Sequence, residues 1–366
     1  MHDGHRKPPT AMRAVLRELA VGGVVIVAIA GATAMLLLAG NYPVGAGLGA
    51  LWTGSFGSWY AISSATLVRA VPLLLTGAAV ALAFRAGVLN IGAEGQLLVG
   101  AAAAAGVALA PALRNVAPLP VLLLALWAAA VSGALWAGVA AVLRSRFGVL
   151  EVISTIMLNF VALHLVSYLV RGPLQEHTRI YPQSETFAEV LRLPRIPGAG
   201  RLHVGLLIAL ALIGAAGWML RHTAAGFRLI ATGESADAAA SAGGIDVRAT
   251  TIRAFMLSGA LAGIAGGIEV LGITYALYEN ISPGYGYTAI AVALLARLDP
   301  WRVLATGVLF GALEAGASAM QRDASVPSTL VSVIEAALIL AIVAAQALRA
   351  RRATSDRDMP AAPVQA

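Results

Sequence analysis

The residues best suited to chemistry lie in the heptapeptide NIGAEGQ, Asn90 to Gln96, between two apolar segments. The heptapeptide carries two amides and one carboxylate, Glu94, together with Gly92 and Gly95. A carboxylate at the centre of a lipid-facing helix costs about 2.5–3.5 kcal/mol on insertion scales, so Glu94 is expected to face protein, water or the membrane interface. Glycine weakens helix continuity, and two interpretations follow. Either a helix breaks around a polar cavity, or a tight turn places Glu94 at the cap of the next helix.

A second segment with a definite local pattern is GESADAAASAGGI, Gly233 to Ile245. Ser235 is suited to cap a helix, Asp237 complements the first turn, and the glycine pair after Ala242 stops it. The pattern predicts a helix from Ala236 to Ala242. A helix this short is marginal alone in water, so it either plugs a groove of another protein or lies on the surface without a partner.

Several catalytic chemistries have no support in the sequence. The chain has no cysteine, and its only lysine is Lys7, so no phosphate-binding loop with a lysine after its glycines is present. HExxH zinc motifs and a Gly-x-Ser-x-Gly nucleophile elbow are also absent. We therefore expect no catalytic residue, no metal site and no ATP hydrolysis within this chain.

The composition indicates that the chain is a membrane protein whose apolar segments lie in lipid. Hydrophobic residues make up 59% of the 366 residues and charged residues only 12%, against about 25% charged in an average soluble domain. The net charge of +7 comes almost entirely from arginine, and in a membrane protein such charge usually reports topology. A nucleic-acid partner is therefore not expected.

Apolar runs separated by glycine, proline or charge predict about ten transmembrane helices. The third and eighth runs are short for a span, so eight helices are the alternative. Most basic residues fall in alternate connections, which predicts that both termini are cytoplasmic. The predicted spans are 20–40, 64–84, 95–110, 119–143, 150–170, 203–220, 252–276, 286–298, 301–319 and 328–348.

These spans divide the chain into a cytoplasmic lead-in at 1–19, a transmembrane domain at 20–348 and a disordered cytoplasmic tail at 349–366. The domain has two long connections. The first, 171–202, is rich in proline and mixed charge, and is expected to be a solvated outer loop or a docking surface. The second, 221–253, holds the predicted short helix and is called the inner loop. The run SGALAGIAGG after it has small residues at a spacing of four, which favours close helix packing.

Five segments together resemble the permease subunits of bacterial ABC importers. The likeness is to the branch that includes branched-chain amino acid, ribose and nucleoside permeases, and within it to the longer of two nucleoside-type permeases. The segments are FRAGVLNIGAEGQ from Phe84, EVISTIMLNFVA from Glu151, GESADAAASAGGI from Gly233, SGALAGIAGG from Ser258 and GYGYTAIAVALLARLDP from Gly284.

The resemblance implies a chain that forms one half of a translocation channel and pairs with a second homologous permease. It also implies a cytoplasmic ATP-binding cassette subunit that binds ATP and Mg, and an extracytoplasmic substrate-binding lipoprotein. Residues 235–245 would be the coupling helix in the ATPase groove. The residues assigned to coupling are Gly233, Glu234, Ser235, Ala238, Ala239, Gly243, Gly244 and Ile245.

By the same resemblance NIGAEGQ and Asn159 belong to the substrate pathway, where Phe160 would add an apolar wall. A nucleoside has an apolar ring face and a polar ribose, so such a mixture suits it. The candidate pathway residues are Asn90, Glu94, Gln96, Asn159 and Phe160.

We therefore expect an all-α polytopic protein of the bacterial cytoplasmic membrane that is not itself an enzyme and that imports nucleosides. Ribose-type sugars and branched-chain amino acids remain alternative cargoes. The alternative of another class is a proton-coupled secondary transporter that uses Glu94, Glu151 or Glu314 as a proton relay. An intramembrane hydrolase would need a paired nucleophile and base, which the sequence does not offer.

Overall fold

The computed structural model of the chain describes residues 30–327 together with positions 27, 330, 333, 336 and 337. Within these residues every regular element is a helix, and the extended backbone forms only two isolated bridges, Gln183–Tyr278 and Arg195–His203. The expectation of an all-α protein is confirmed for this part of the chain. The lead-in 1–19, the tail 349–366 and most of the tenth predicted span lie outside the described residues.

The described helices follow one another with short connections, apart from the outer loop. The first six residues of α3 and the last six of α10 are π-helical. The helices are α1 Ala30–Ala39, α2 Val44–Ser55, α3 Ala61–Arg85, α4 Ala93–Ala108, α5 Pro118–Phe147, α6 Glu151–Arg171, α7 Gly205–His222, α8 Ala224–Glu234, α9 Ala236–Gly243, α10 Val247–Thr274, α11 Tyr285–Leu295 and α12 Pro300–Asp323.

Six of these helices are long and apolar enough to cross a membrane: α3, α5, α6, α7, α10 and α12. The third and eighth predicted spans correspond to α4 and α11, which have 16 and 11 residues. Both are shorter than the roughly 20 residues that a straight span needs. The structure thus supports a multi-pass membrane protein, and the count of ten spans stays a prediction. Helix α2 was not predicted from the sequence.

Residues Ser55–Ala315 form one compact unit, in which α10 packs closely on α4 and α5. A β-carbon on Gly263 would lie 2.1 Å from the carbonyl oxygen of Ala129 on α5, and one on Gly266 would lie 1.9 Å from that of Leu97 on α4. The backbones therefore touch with no side chain between them. This confirms the close packing predicted from SGALAGIAGG. We call the contact the glycine seam; its members are Gly100, Gly133, Gly259, Gly263 and Gly266.

The other compact unit includes the described residues 30–54 and 316–327. Its described part has a small apolar core of its own. Leu37 of α1, Ala50 of α2 and Met320 near the end of α12 are buried there with Val326.

The two long connections differ in structure. The outer loop follows α6 and contains one 3-10 turn, Glu189–Leu191, and the bridge residues Gln183 and Arg195, but no α-helix, consistent with its prolines. The inner loop holds two helices, α8 and α9, where the sequence predicted one. The inner loop is therefore a structured element of the protein.

Candidate functional site

The helical backbone is interrupted between α3 and α4. At the end of α3 the N–H of Val88 donates to the carbonyl of Ala83 and that of Gly87 to Phe84, both at 3.0 Å, and Gly87 has a φ of +71°. This is a Schellman-type helix end, in which glycine takes the left-handed conformation without strain. Helix α4 begins directly after Gly92. Both interpretations predicted an interruption of the helix near Gly92, and it is present as a turn between two helices, but Gly95 does not belong to it, because Gly95 lies inside α4.

Asn90 organises the break through its amide. Its Nδ2 donates to Gln96 Oε1 at 3.0 Å and to Ser258 Oγ at 2.9 Å, while its Oδ1 accepts from Gln96 Nε2 at 2.9 Å and from Gly92 N at 3.0 Å. Ser258 in turn donates to the carbonyl of Ala79 at 2.7 Å. Asn90 and Gln96 are buried, so their amides use these protein partners in place of water.

Glu94 lies in the first turn of α4 but does not cap that helix. Its Oε2 accepts from the N–H of Gly286 on α11 at 2.7 Å, and its side chain also hydrogen-bonds Ser282. A β-carbon on Gly286 would lie 2.1 Å from Glu94 N, so α11 reaches α4 only because residue 286 has no side chain. The interpretation of Glu94 as a cap of its own helix was wrong. The carboxylate instead joins two helices.

Asn159 of α6 completes the same cluster. Its Oδ1 accepts from Gly95 N at 2.8 Å, and its Nδ2 donates to the carbonyl of Ile91 at 3.0 Å and to the hydroxyl of Tyr287 at 3.3 Å. A β-carbon on Gly95 would lie 3.0 Å from Asn159 Cα, so α4 and α6 are in close contact here. We call Asn90, Glu94, Gln96 and Asn159, with these partners, the polar network.

Phe160 lies apart from the polar network. Its side chain is 51% exposed on α6, whereas that of the preceding Asn159 is 3% exposed. Of the five residues that the sequence singled out for a pathway, the structure brings four together and leaves Phe160 on the outside of the chain. Neighbouring helix positions point about 100° apart, and the sequence alone did not say which of the two faced inward.

The partners of the polar network come from segments that already carried the family resemblance. Ser258 belongs to SGALAGIAGG, and Gly286 and Tyr287 belong to GYGYTAIAVALLARLDP. These three residues were not predicted from the sequence as site residues. The signal that could have found them is that a buried amide or carboxylate needs hydrogen-bond partners, which polar and glycine-rich segments supply.

We expect Asn159→Ala to destabilise the protein by about 1–3 kcal/mol, because the Gly95 N–H and the Ile91 carbonyl would lose a buried partner. The measurement is the thermal unfolding of the purified chain in detergent. Phe160→Ala is the matched control, since it truncates the next residue at an exposed position and should change the unfolding temperature little. Equal destabilisation by the two variants would contradict the structural role of Asn159.

Two further carboxylates on apolar helices, Glu151 and Glu269, are in different surroundings. Glu151 forms an ion pair with Arg144, with Nη1 to Oε1 at 3.0 Å. Glu269 and His203 are buried, and Glu269 Oε2 and His203 Nε2 have no hydrogen-bond partner. Within the described residues no group of three or more His, Cys, Asp or Glu side chains could hold a metal ion. Of these groups, Glu151 has an ion-pair partner on the neighbouring helix α5.

The inner loop contains the predicted short helix almost residue for residue. Helix α9 runs from Ala236 to Gly243, Ser235 Oγ accepts from Ala238 N at 3.3 Å, and Gly244 has a φ of +56°. The helix thus has a serine cap at its start and a left-handed glycine after its end. After this glycine, Ile245 N donates a hydrogen bond to the carbonyl of Ala239 at 3.1 Å, which completes the C-terminal cap of α9.

The two faces of α9 differ in exposure. Ala239 is only 6% exposed and packs within its own chain, so it does not lie on the face that is open to a partner. Ala238 and Ala240 are exposed, as are Glu234 and Ser235 before them. Of the coupling residues predicted from the resemblance, Ala239 therefore has an internal position, and Gly233 packs against the end of α3.

The connection between α10 and α11 is held to the end of α6 by Glu279. Arg171 donates to Glu279 Oε1 from Nε at 2.6 Å and to Oε2 from Nη2 at 2.8 Å, and Ser167 also hydrogen-bonds this carboxylate. These hydrogen bonds, that of Arg171 first, lower the pKa of Glu279 to about 2. The carboxylate is thus charged throughout the neutral range. Beside the outer loop lies a cavity of about 670 Å³ whose lining includes Arg114.

Comparison with known proteins places the chain among permeases. Residues 62–343 match the family described as branched-chain amino acid transport system, permease component. No solved structure matches this chain with significance.

Three curated relatives resemble the chain over most of their length. The chain is 38% identical over 347 residues to the glucose ABC transporter permease protein TsgB13 of Haloferax volcanii. This alignment covers 92% of the chain and 87% of the relative. The chain is 37% identical over 342 residues to the guanosine ABC transporter permease protein NupP of Bacillus subtilis, covering 91% and 95%. It is 29% identical over 347 residues to the nucleoside ABC transporter permease protein NupB of Lactococcus lactis subsp. cremoris, covering 88% and 93%.

Proposed function

Because the chain belongs to the family of branched-chain amino acid transport system permease components, we propose that it forms one half of the channel of an ATP-driven importer for nucleosides. It is a multi-pass protein of the cell membrane. The observation that carries the proposed cargo is that the likeness to a guanosine permease and to a nucleoside permease extends over most of each chain.

The nucleoside is proposed ahead of a sugar because two of the three relatives described above bear nucleoside names. The Haloferax relative is named for glucose, and this specific likeness makes a monosaccharide the second candidate. Sugars and nucleosides share hydroxyl groups, whereas only a nucleoside adds a planar base. Branched-chain amino acids have neither and are supported only by the description of the family.

The proposal includes the partners that such a channel requires. A second homologous permease would complete the channel, and a separate ATP-binding cassette subunit would bind ATP and Mg. An extracytoplasmic lipoprotein would deliver the cargo. The chain itself would supply no cofactor site and no ATPase chemistry, in keeping with Lys7 as its only lysine.

The exposed face of α9 supports the proposed contact with the ATPase. The helix is capped at both ends, so its shape does not depend on a partner, and its exposed residues are small. Small side chains allow close approach to a groove. We propose ten spans with both termini on the side of α9, the cytoplasm. The basic residues along the inner loop, among them Arg228, Arg248 and Arg253, are consistent with that orientation.

Proton coupling has less support than ATP coupling. Glu94 accepts a backbone hydrogen bond from α11, and Glu151 is paired with Arg144. Each side chain therefore has a structural partner that accounts for its position. A proton relay would need to break these contacts in every cycle.

Uptake of radiolabelled guanosine or uridine by intact cells tests the proposal. We expect uptake only when this permease, its partner permease, the ATPase and the lipoprotein are all produced, and we expect it to be lost when the ATPase carries a substitution of its catalytic residue. Excess unlabelled adenosine should compete, and excess glucose, ribose or leucine should compete poorly.

Two outcomes would overturn parts of this proposal. Efficient competition by glucose or ribose, or by leucine, would assign the cargo to a sugar or an amino acid and leave the importer in place. Uptake that persists without the ATPase and collapses with a protonophore would replace the importer by a secondary transporter.

A further inference from the structure

The inner loop contacts the turn at the end of α3 directly through backbone atoms. Gly233, in the last turn of α8, lies against the end of α3, and a β-carbon on it would come within 2.1 Å of the carbonyl oxygen of Arg85 and 2.9 Å of Gly87 N. From the other side, a β-carbon on Gly87 would lie 3.1 Å from Gly233 Cα. Two backbones in contact transmit displacement without the slack that flexible side chains would allow.

Helix α8 is held on this turn by apolar packing. Leu229 of α8 is 3% exposed and belongs to a core cluster with Ala83, Ala86 and Val88 at the end of α3. Leu220 and Phe255 complete the cluster from α7 and α10. The side chain of Leu229 and the backbone at Gly233 therefore fix α8 to the same turn at two points.

Helices α8 and α9 meet at one residue. Ser235 N donates to the carbonyl of Ala231, at 3.1 Å, and so ends α8, while its side chain caps α9. Only Ser235 lies between α8, which contacts α3, and α9, which has the exposed face. A displacement of α9 must therefore move α8 as well.

The turn leads at once into the polar network. Only Val88 and Leu89 separate Gly87 from Asn90, and Asn90 N donates to the carbonyl of Val88 at 3.0 Å. Asn90 then bonds Ser258 of α10, and the residues after it bond α6 and α11. A shift of the turn consequently reaches three further helices through short hydrogen bonds.

We infer that Gly233 is a positioning residue for transport, whose backbone contact with the turn Arg85–Gly87 transmits movement of α9 to the polar network. This inference rests on the proposed function, since it takes the ATPase as the partner that moves α9. The contact requires glycine at position 233, because any side chain would separate α8 from α3.

Gly233→Ala tests the inference in the assembled transporter, reconstituted with its partner permease, ATPase and binding lipoprotein. The measured quantity is the number of ATP molecules hydrolysed per guanosine imported. Coupling between sites commonly amounts to factors of 5–150, so we expect this ratio to rise by about five-fold or more while the ATPase stays bound. Gly138→Ala is the matched control, because Gly138 is also helical and a β-carbon there meets no atom within 4 Å.

A second pair of variants avoids the steric clash. This pair tests the inference if the Gly233→Ala transporter does not assemble. Leu229→Ala loosens α8 from the turn, and Leu202→Ala removes the same side chain at similar burial in a separate cluster at the end of the outer loop. We expect the ratio of ATP to guanosine to rise only for Leu229→Ala. Equal ratios in the two variants, or an unchanged ratio for an assembled Gly233→Ala, would overturn the inference.

Failure of the inference and failure of the proposed function give different results. Wild-type protein that imports guanosine in proportion to ATP hydrolysis, with unchanged ratios in the variants, refutes only the role of Gly233. Wild-type uptake that does not depend on ATP refutes the proposed function.

Discussion

Gly95→Leu is expected to prevent recovery of the assembled protein. A β-carbon at this position would lie 2.9 Å from Asn159 Oδ1, 3.0 Å from Asn159 Cα and 3.2 Å from the carbonyl oxygen of Leu158. Leucine would have to push α6 away from α4 and break the hydrogen bond from Gly95 N to Asn159. Overpacking alone costs about 1–3 kcal/mol and the lost buried hydrogen bond about as much again.

Gly106→Leu provides the comparison within the same helix. A β-carbon on Gly106 meets no atom within 4 Å, and both substitutions give α4 the higher helix propensity of leucine. The amount of chain in the membrane and its unfolding temperature in detergent are the measurements. Wild-type amounts and unfolding temperature for Gly95→Leu would show that the contact between α4 and α6 is not needed.

Ala240→Asp is expected to abolish nucleoside uptake while leaving the amount of permease in the membrane unchanged. Ala240 is exposed on α9, so the chain alone tolerates a carboxylate there. In a closely packed groove of the ATPase the same carboxylate would be buried without a partner, and we expect binding to weaken by at least about ten-fold. Pull-down of the ATPase and uptake of labelled guanosine are measured together.

Ala112→Asp serves as the control for Ala240→Asp. Ala112 is exposed in the 3-10 turn Pro111–Leu113 beside the outer loop, so this variant adds the same charge outside α9 and the inner loop. It should retain pull-down and uptake. If Ala240→Asp binds the ATPase and transports as wild type does, the assignment of α9 as the coupling helix fails.

Features set by neighbouring residues were predictable from the sequence. The limits of α9 agree with the prediction to one residue, because a serine cap and a left-handed glycine act over a few bonds. The long spans were predictable for a similar reason, since each needs only an uninterrupted apolar run. The break at Gly92 was indicated by glycine and polar residues between two such runs.

Features that depend on distant residues were not predictable in the same way. An alanine-rich helix has no apolar stripe, so the sequence did not reveal that Ala239 packs inward while Ala238 and Ala240 are exposed. Helix α8 was missed because its anchoring contact, Leu229 on the end of α3, joins residues about 140 positions apart in the chain. The bond from Glu94 to Gly286 has the same origin, since only the fold brings α11 to α4.

The glycine seam limits the kind of motion that α4, α5 and α10 can perform. Domain movements occur either by shear, in which packed helices slide past one another, or by hinges at a few terminal residues. Sliding α10 along α4 by one helical turn, about four residues, would bring the side chain of Ala262 or Val270 to the place of Gly266, where a β-carbon already lies 1.9 Å from the carbonyl oxygen of Leu97. Shear is therefore blocked along the seam. These three helices must rotate together as one rigid body, with bending confined to the connections at their ends.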